Sequence, residues 1–72
     1  MPISSEKDAI KSFGNKVRLI RKERKLSMEM LANIAEIELS QIYRIETGKI
    51  NPKLTTILKI AEALEINPKE LF

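Results

Sequence analysis

Apolar side chains in this chain recur at steps of three and four, stretch after stretch, and no β-branched segment alternates with the period of two that a half-buried strand requires. That spacing commits the chain to short amphipathic helices packed on a shared core. Seventy-two residues hold one compact domain and no more. Hydrophobic residues make up 43% of the sequence, led by eleven Ile and eight Leu, which is ample for one core and too much for a disordered chain.

The periodicity and its punctuation predict five helices. Residues 5–24 read as the first, with Ser5 as N-cap, Asp8 three residues later as a capping-box partner, and Ile10, Phe13, Val17 and Ile20 along one face. Gly14 lies inside this stretch, at a cost of roughly 1 kcal/mol against Ala; a second helix passing close by would explain it. Ser27 caps a short second helix that ends near Ala35, with Leu31, Ala32 and Ala35 on its inner face. Glu36 to Glu38 interrupt the pattern. A third helix is expected over 39–47, with Ile42 and Ile45 inward and Ser40, Gln41, Tyr43 and Arg44 outward; Gly48 ends it in a left-handed conformation. Asn51-Pro52 marks a loop. A fourth helix follows over 54–64, using Leu54, Ile57, Leu58, Ala61 and Leu64 as its apolar positions. Asn67, Pro68 and Glu70 open a last short helix that carries Leu71 and Phe72. Residues 1–4 precede the first cap and are expected to be flexible, so that 1–72 form a single domain.

Composition excludes most chemistry. The chain has no Cys and no His, which removes disulfides, zinc fingers, thiol nucleophiles and imidazole acid–base catalysis. Its carboxylates are scattered along helices, and no Gly-rich phosphate loop is present. No enzyme activity, cofactor, metal site or small-molecule substrate is therefore expected. No apolar run approaches the roughly 20 residues that span a bilayer, and no signal-peptide pattern opens the chain. A soluble module in the cytoplasm is the expectation. A membrane-surface role is disfavoured because the apolar face from Ile10 to Ile20 is needed for the core.

The net charge is +3, from 13 Lys+Arg and 10 Asp+Glu, but it is unevenly spread. Residues 1–25 carry eight basic and three acidic side chains, a net of +5, while residues 26–72 carry five basic and seven acidic ones. Such a cluster can be a footprint for phosphates or merely a solvated helix face.

The order and spacing of particular residues add a further reading. Phe13-Gly14, Val17-Arg18 and Arg21 in the first helix are followed by Leu31-Ala32 and Ala35 in the second. Then come Ile42-Tyr43-Arg44-Ile45-Glu46-Thr47-Gly48-Lys49, Asn51-Pro52, Leu54, Leu58-Lys59-Ile60-Ala61, Ala63-Leu64 and Pro68-Lys69-Glu70-Leu71-Phe72. Over nearly its whole length the chain resembles the phage-repressor and Cro type of helix-turn-helix domain, the xenobiotic-response-element type. The resemblance implies an all-α, five-helix, lambda-repressor-like fold with the helix-turn-helix at helices two and three. It also implies a sequence-specific transcriptional regulator, a repressor for example, that binds double-stranded DNA.

By that resemblance the third helix enters the major groove and presents Leu39, Ser40, Gln41, Tyr43 and Arg44 to base edges. Arg44 is the leading candidate for readout, because a guanidinium can donate two hydrogen bonds to guanine O6 and N7. Phosphate contacts are expected from the backbone at Ser27 and Met28, where a helix N-terminus favours an anion. Thr47, Lys49, Asn51 and Lys53 add donors, unless they form no more than a polar loop. Arg21 and Glu46 match a pair that braces helix one against helix three; as a partly exposed pair it would be worth about 0–1 kcal/mol. A homodimer on an inverted repeat is expected, with half-sites one helical turn apart. Ile66, Leu71 and Phe72 are the dimer candidates, or they simply close the monomer core.

Four positions depart from the family pattern. Glu36 stands where Gly is preferred at the tight turn, at roughly 1 kcal/mol if φ is positive there. Glu38 replaces the usual Ser or Thr cap, and its charge would repel phosphate. Met28 and Leu39 stand where phage repressors often carry glutamines. Leu39 can meet a thymine methyl but donates no hydrogen bond. These departures keep a second reading open, a protein-interaction module of antitoxin-like or adaptor type on the same fold. The chain looks too short to hold a separate sensor domain, and its end at Phe72 leaves open that it is a piece of a longer protein.

Overall fold

The computed structural model describes residues 5–72. The expectation of a flexible segment at 1–4 lies outside the described residues. Four α-helices follow one another: α1 (Glu6–Glu23), α2 (Met28–Ala35), α3 (Leu39–Glu46) and α4 (Leu54–Leu64). A 3₁₀ helix, Pro68–Leu71, closes the chain in place of the expected fifth α-helix. Four residues are too few to repay α-helix nucleation, and the tighter i→i+3 ring is the usual form of so short a turn. Its start is nonetheless fully capped. Asn67 accepts from the Lys69 amide at 3.1 Å, and the Glu70 carboxylate accepts from the Asn67 amide at 2.9 Å.

The helix starts follow their caps. Ser5 Oγ accepts from the Asp8 amide at 3.1 Å, and Ser27 Oγ accepts from the Met30 amide at 3.0 Å. Lys53 at the start of α4 and Glu38 at the start of α3 provide no side-chain cap, so those two helices begin with their first amides unserved by a side chain.

All four α-helices end in the same way. The chain turns into the left-handed region at Lys25, Glu36, Gly48 and Glu65, with φ of 58°, 58°, 71° and 58°. At each end two amides fold back on the last turn, as when Glu36 N–H donates to Asn33 O and Ile37 N–H to Ala32 O at 3.3 and 2.9 Å. Only Gly48 reaches this conformation without a Cβ penalty. At the other three ends the following residue is apolar, and Leu26, Ile37 and Ile66 each pack against the core. Partial burial of such a side chain contributes on the order of 1 kcal/mol at about 25 cal/mol per Å² of apolar area, which offsets the roughly 1 kcal/mol lost to positive φ. The tight turn at Glu36 thus keeps the left-handed shape of a glycine turn without glycine.

The core draws on every element: Phe13 and Val17, Leu31 and Ala32, Ile42 and Ile45, Ile60, Ala61 and Leu64, and Leu71. Of the apolar positions read on α4, Leu54 and Leu58 stand 69% and 46% exposed, while Ile60 is fully buried. The inward direction of α4 is set by Ile57, Ile60, Ala61 and Leu64, and Leu54 and Leu58 fall on the flank beside it. The apolar surface of α4 is wider than the strip its neighbours cover. Likewise Leu71 is fully buried and Ile66 packs on the core, so of the dimer candidates only Phe72 remains well exposed; its ring tilts onto Phe13 at 5.4 Å between centroids.

Gly14 marks the closest approach of two helices. A Cβ built there would overlap the carbonyl oxygen of Ile45 on α3 and lie 3.1 Å from the backbone of Glu46. Because the obstacle is backbone, nothing soft can yield. Gly14→Ala is expected to lower the unfolding free energy by about 1–3 kcal/mol, although Ala is the better helix former. Urea unfolding followed by circular dichroism checks this, and a gain in stability would contradict the close approach.

Candidate nucleic-acid interface

α3 is eight residues long, about 12 Å, and packs on α1 and α2 through Ile42 and Ile45. Its opposite side is bare. Leu39 and Tyr43 are 45% and 49% exposed, Ser40 and Arg44 are exposed, and Gln41 is half-buried. With 3.6 residues per turn, Leu39, Ser40, Tyr43 and Arg44 share one face (steps of one, three and four), and Gln41 sits at its edge. Glu36 and Glu38 are exposed at the start of the helix, where they place negative charge next to that face.

The far end of α3 is locked from within. Glu46, its last residue, is buried, and so is Arg21 on α1, each 7% exposed. Arg21 Nε donates to Glu46 Oε2 at 2.6 Å and Nη2 donates to Oε1 at 2.9 Å, a parallel fork. Nη1 donates to the Leu26 carbonyl at 2.7 Å. One guanidinium thereby ties α1, the α1–α2 turn and the end of α3 together. No buried side-chain nitrogen or oxygen among the described residues lacks a partner. The pair was expected to be partly exposed and nearly neutral in energy. Its burial changes that arithmetic, because losing either member strands a charge in the interior.

Around this lock lies a cleft of about 320 Å³ lined by Arg18, Arg21, Lys22, Met28, Tyr43, Glu46 and Thr47. It brings together the start of α2, the bare face of α3 and two exposed cations, Arg18 and Lys22. Neither cation was singled out from the sequence; the charge excess of residues 1–25 was the signal that contained them. Ser27 and Met28 begin α2 beside the cleft, and their amides point along its axis away from the helix. The Met28 side chain is half-buried against the core.

The loop between α3 and α4 places Lys49, Asn51 and Lys53 in solvent with no acid among them. Thr47 differs. Its hydroxyl donates to Tyr43 O at 2.8 Å, and the single proton is spent on finishing α3 rather than on an external oxygen.

Comparison with known proteins agrees with this geometry. Residues 14–72 match the model of a helix-turn-helix domain. The chain belongs to the helix-turn-helix domain family. It is 47% identical over 58 residues to the HTH-type transcriptional repressor RghR of Bacillus subtilis, covering 79% of this chain and 43% of that repressor. It is 44% identical over 63 residues to the control protein C.MunI of a Mycoplasma species, covering 83% of this chain and 82% of the control protein. The crystal structure of the restriction-modification controller protein C.AhdI from Aeromonas hydrophila superposes with a TM-score of 0.87 at 39% identity, over 89% of this chain and 97% of the controller. This chain thus spans less than half of the repressor and most of each controller.

Arg21→Ala or Glu46→Ala is expected to cost about 3–5 kcal/mol of stability, whereas Arg21→Met combined with Glu46→Leu should cost far less. Denaturant titration of the three variants decides it. Single losses no larger than about 1 kcal/mol, the range of an exposed pair, would show that burial does not govern this contact.

Proposed function

We propose that this helix-turn-helix protein is a transcriptional regulator that binds a specific double-stranded DNA site as a homodimer, with α3 of each copy in the major groove. The observation that carries the reading is the bare face of α3, an exposed row of Leu39, Ser40, Tyr43 and Arg44 on a helix whose other side is clamped by the Arg21–Glu46 fork. A rigid platform with exposed polar and apolar side chains is what base readout requires, since register on the duplex must be held while side chains meet base edges. The relatives that support it are named as a repressor and as control proteins.

In this arrangement Arg44 donates to guanine, Leu39 and Tyr43 pack on thymine methyls or sugars, and Ser40 and Gln41 complete the edge contacts. Phosphates on one side take the amides of Ser27 and Met28 together with Arg18 and Lys22. Phosphates on the other side take Lys49, Asn51 and Lys53. Two copies related by a two-fold axis would set their α3 helices about 34 Å apart, one turn of DNA. Binding, not catalysis, is the activity. No helix among the described residues is long and apolar enough to cross a membrane, and the cytoplasm, where the DNA lies, is the proposed location.

Selection from randomised duplexes at physiological salt tests the reading. An inverted repeat with fixed spacing should emerge, and affinity should fall with salt at a logarithmic slope near −0.9 per phosphate neutralised. Retention without enrichment would remove sequence specificity. Failure to retain DNA, with partner binding that hardly responds to salt, would replace the reading by a protein-interaction module.

Two substitutions separate readout from positioning. Arg44→Ala should cost about 1–3 kcal/mol on the selected site and relax preference at one base pair; an equal loss on all sequences would remove Arg44 from base contact. Lys49→Ala should weaken every sequence alike and reduce the salt slope by about one, measured by titrating affinity against salt.

A further inference from the structure

Glu38 stands immediately before α3, at the end of the helix that the proposed reading places in the groove, and its side chain is exposed. It occupies the N-cap position yet accepts no hydrogen bond from the first turn. A structural role there favours Ser, Thr or Asp, whose short side chains reach those amides. Among the described residues the ion pairs join Arg21 to Glu46 and Arg24 to Glu65, and Glu38 takes part in neither. Its neighbours in sequence, Leu39 and Ser40, open the bare face of α3. The carboxylate is thus left for something outside the protein.

An ionised carboxylate only accepts hydrogen bonds, and phosphates have none to donate. Toward the backbone of DNA it is purely repulsive. Base edges differ. In the major groove the donors are the N4 amine of cytosine and the N6 amine of adenine. The adenine amine lies between two acceptors, its own N7 and thymine O4, and both repel an anion. The cytosine amine has one such neighbour, guanine O6. We infer that Glu38 is a specificity-determining residue that accepts from cytosine N4 at one base pair of each half-site, an inference that rests on the DNA-binding reading above. The repulsion acts on all sequences alike and the acceptance on one base. A single carboxylate therefore both lowers general affinity and selects a site.

Glu38 and Arg44 then read with opposite chemistry, an acceptor at the mouth of α3 and a guanidinium donor six residues on. Six residues span about 9 Å along the helix axis, or two to three base pairs at about 3.4 Å each. The half-site is expected to hold the cytosine and the guanine at about that separation. Glu36 serves as a control, because it is also exposed and acidic but lies two residues further from α3, at the left-handed end of α2.

Site selection from randomised duplexes by the full chain tests this with the wild type, Glu38→Gln and Glu36→Gln, followed by titration of all four base pairs at the cytosine position. Both side chains are exposed and neither caps a helix, so helical circular dichroism should be retained. The wild type should enrich a fixed cytosine in each half, preferred over other bases by about fivefold or more. Glu38→Gln should lose that preference at this base pair alone and gain adenine, whose N6 and N7 an amide can meet together. Glu36→Gln should bind every sequence more tightly and select the wild-type site. If Glu38→Gln instead selects the wild-type site, with affinity raised equally on all sequences, the carboxylate is repulsive only. That result overturns the assignment and leaves the DNA reading standing. The same change of base preference produced by Glu36→Gln would overturn it as well. A wild type that enriches no site overturns both readings.

Discussion

The contact on which the arrangement depends is the one between the backbone of α1 at Gly14 and the backbone of α3 at Ile45 and Glu46. Two helices meet without intervening side chains, and the buried fork from Arg21, two turns further along α1, closes the same contact at Glu46. Apolar packing alone leaves a short helix free to rock about its long axis, because dispersion forces are weakly directional. The fork is directional. Two parallel hydrogen bonds in a plane fix the rotation of α3, and that rotation decides which side chains point outward. The third arm, to the Leu26 carbonyl, extends the same constraint to the α1–α2 turn and so to the start of α2. One arginine therefore sets the relation between the bare face of α3, proposed to read bases, and the amides proposed to hold phosphate.

Much of this architecture can be read from the residues. Periods of three and four, Ser5, Ser27 and Asn67 as caps, and Gly48 as a stop locate every element to within about a residue, because these signals act over one turn of chain and need no distant partner. Gly14 could be read as a close approach because a helix interior seldom tolerates the cost without a packing reason. The resemblance matched Arg21 to Glu46, but the burial that gives the pair its energy depends on Leu26, Met28 and the ends of three helices, and local pattern does not carry that. The exposure of Leu54 and Leu58 was hidden for the same reason. Periodicity reports that α4 has an apolar side, and the coverage supplied by its neighbours decides how much of that side is inside. The left-handed turns at Lys25, Glu36 and Glu65 were hidden differently. Their strain is offset by the apolar residue that follows, so the informative residue was the neighbour and not the strained one.

The charge distribution bears on how such a domain would discriminate among DNA sequences. Affinity for any duplex comes mainly from phosphates neutralised, and affinity for one site adds base contacts to that background. This chain carries only +3 overall, and Glu36 and Glu38 stand at the mouth of α3. Both acids act against phosphate on every sequence equally. On the proposed reading they would lower the background, while Arg44, six residues beyond Glu38 and about 9 Å along the helix axis, lies roughly one screening length away at physiological salt. A weak background raises the ratio of specific to non-specific binding, the quantity that matters when competing sites are numerous. On the proposed reading, the same economy of charge would leave a single domain a weak binder, and pairing with a second copy would offset that: two α3 faces on one dimer would add their base contacts while the ordering cost of association is met once.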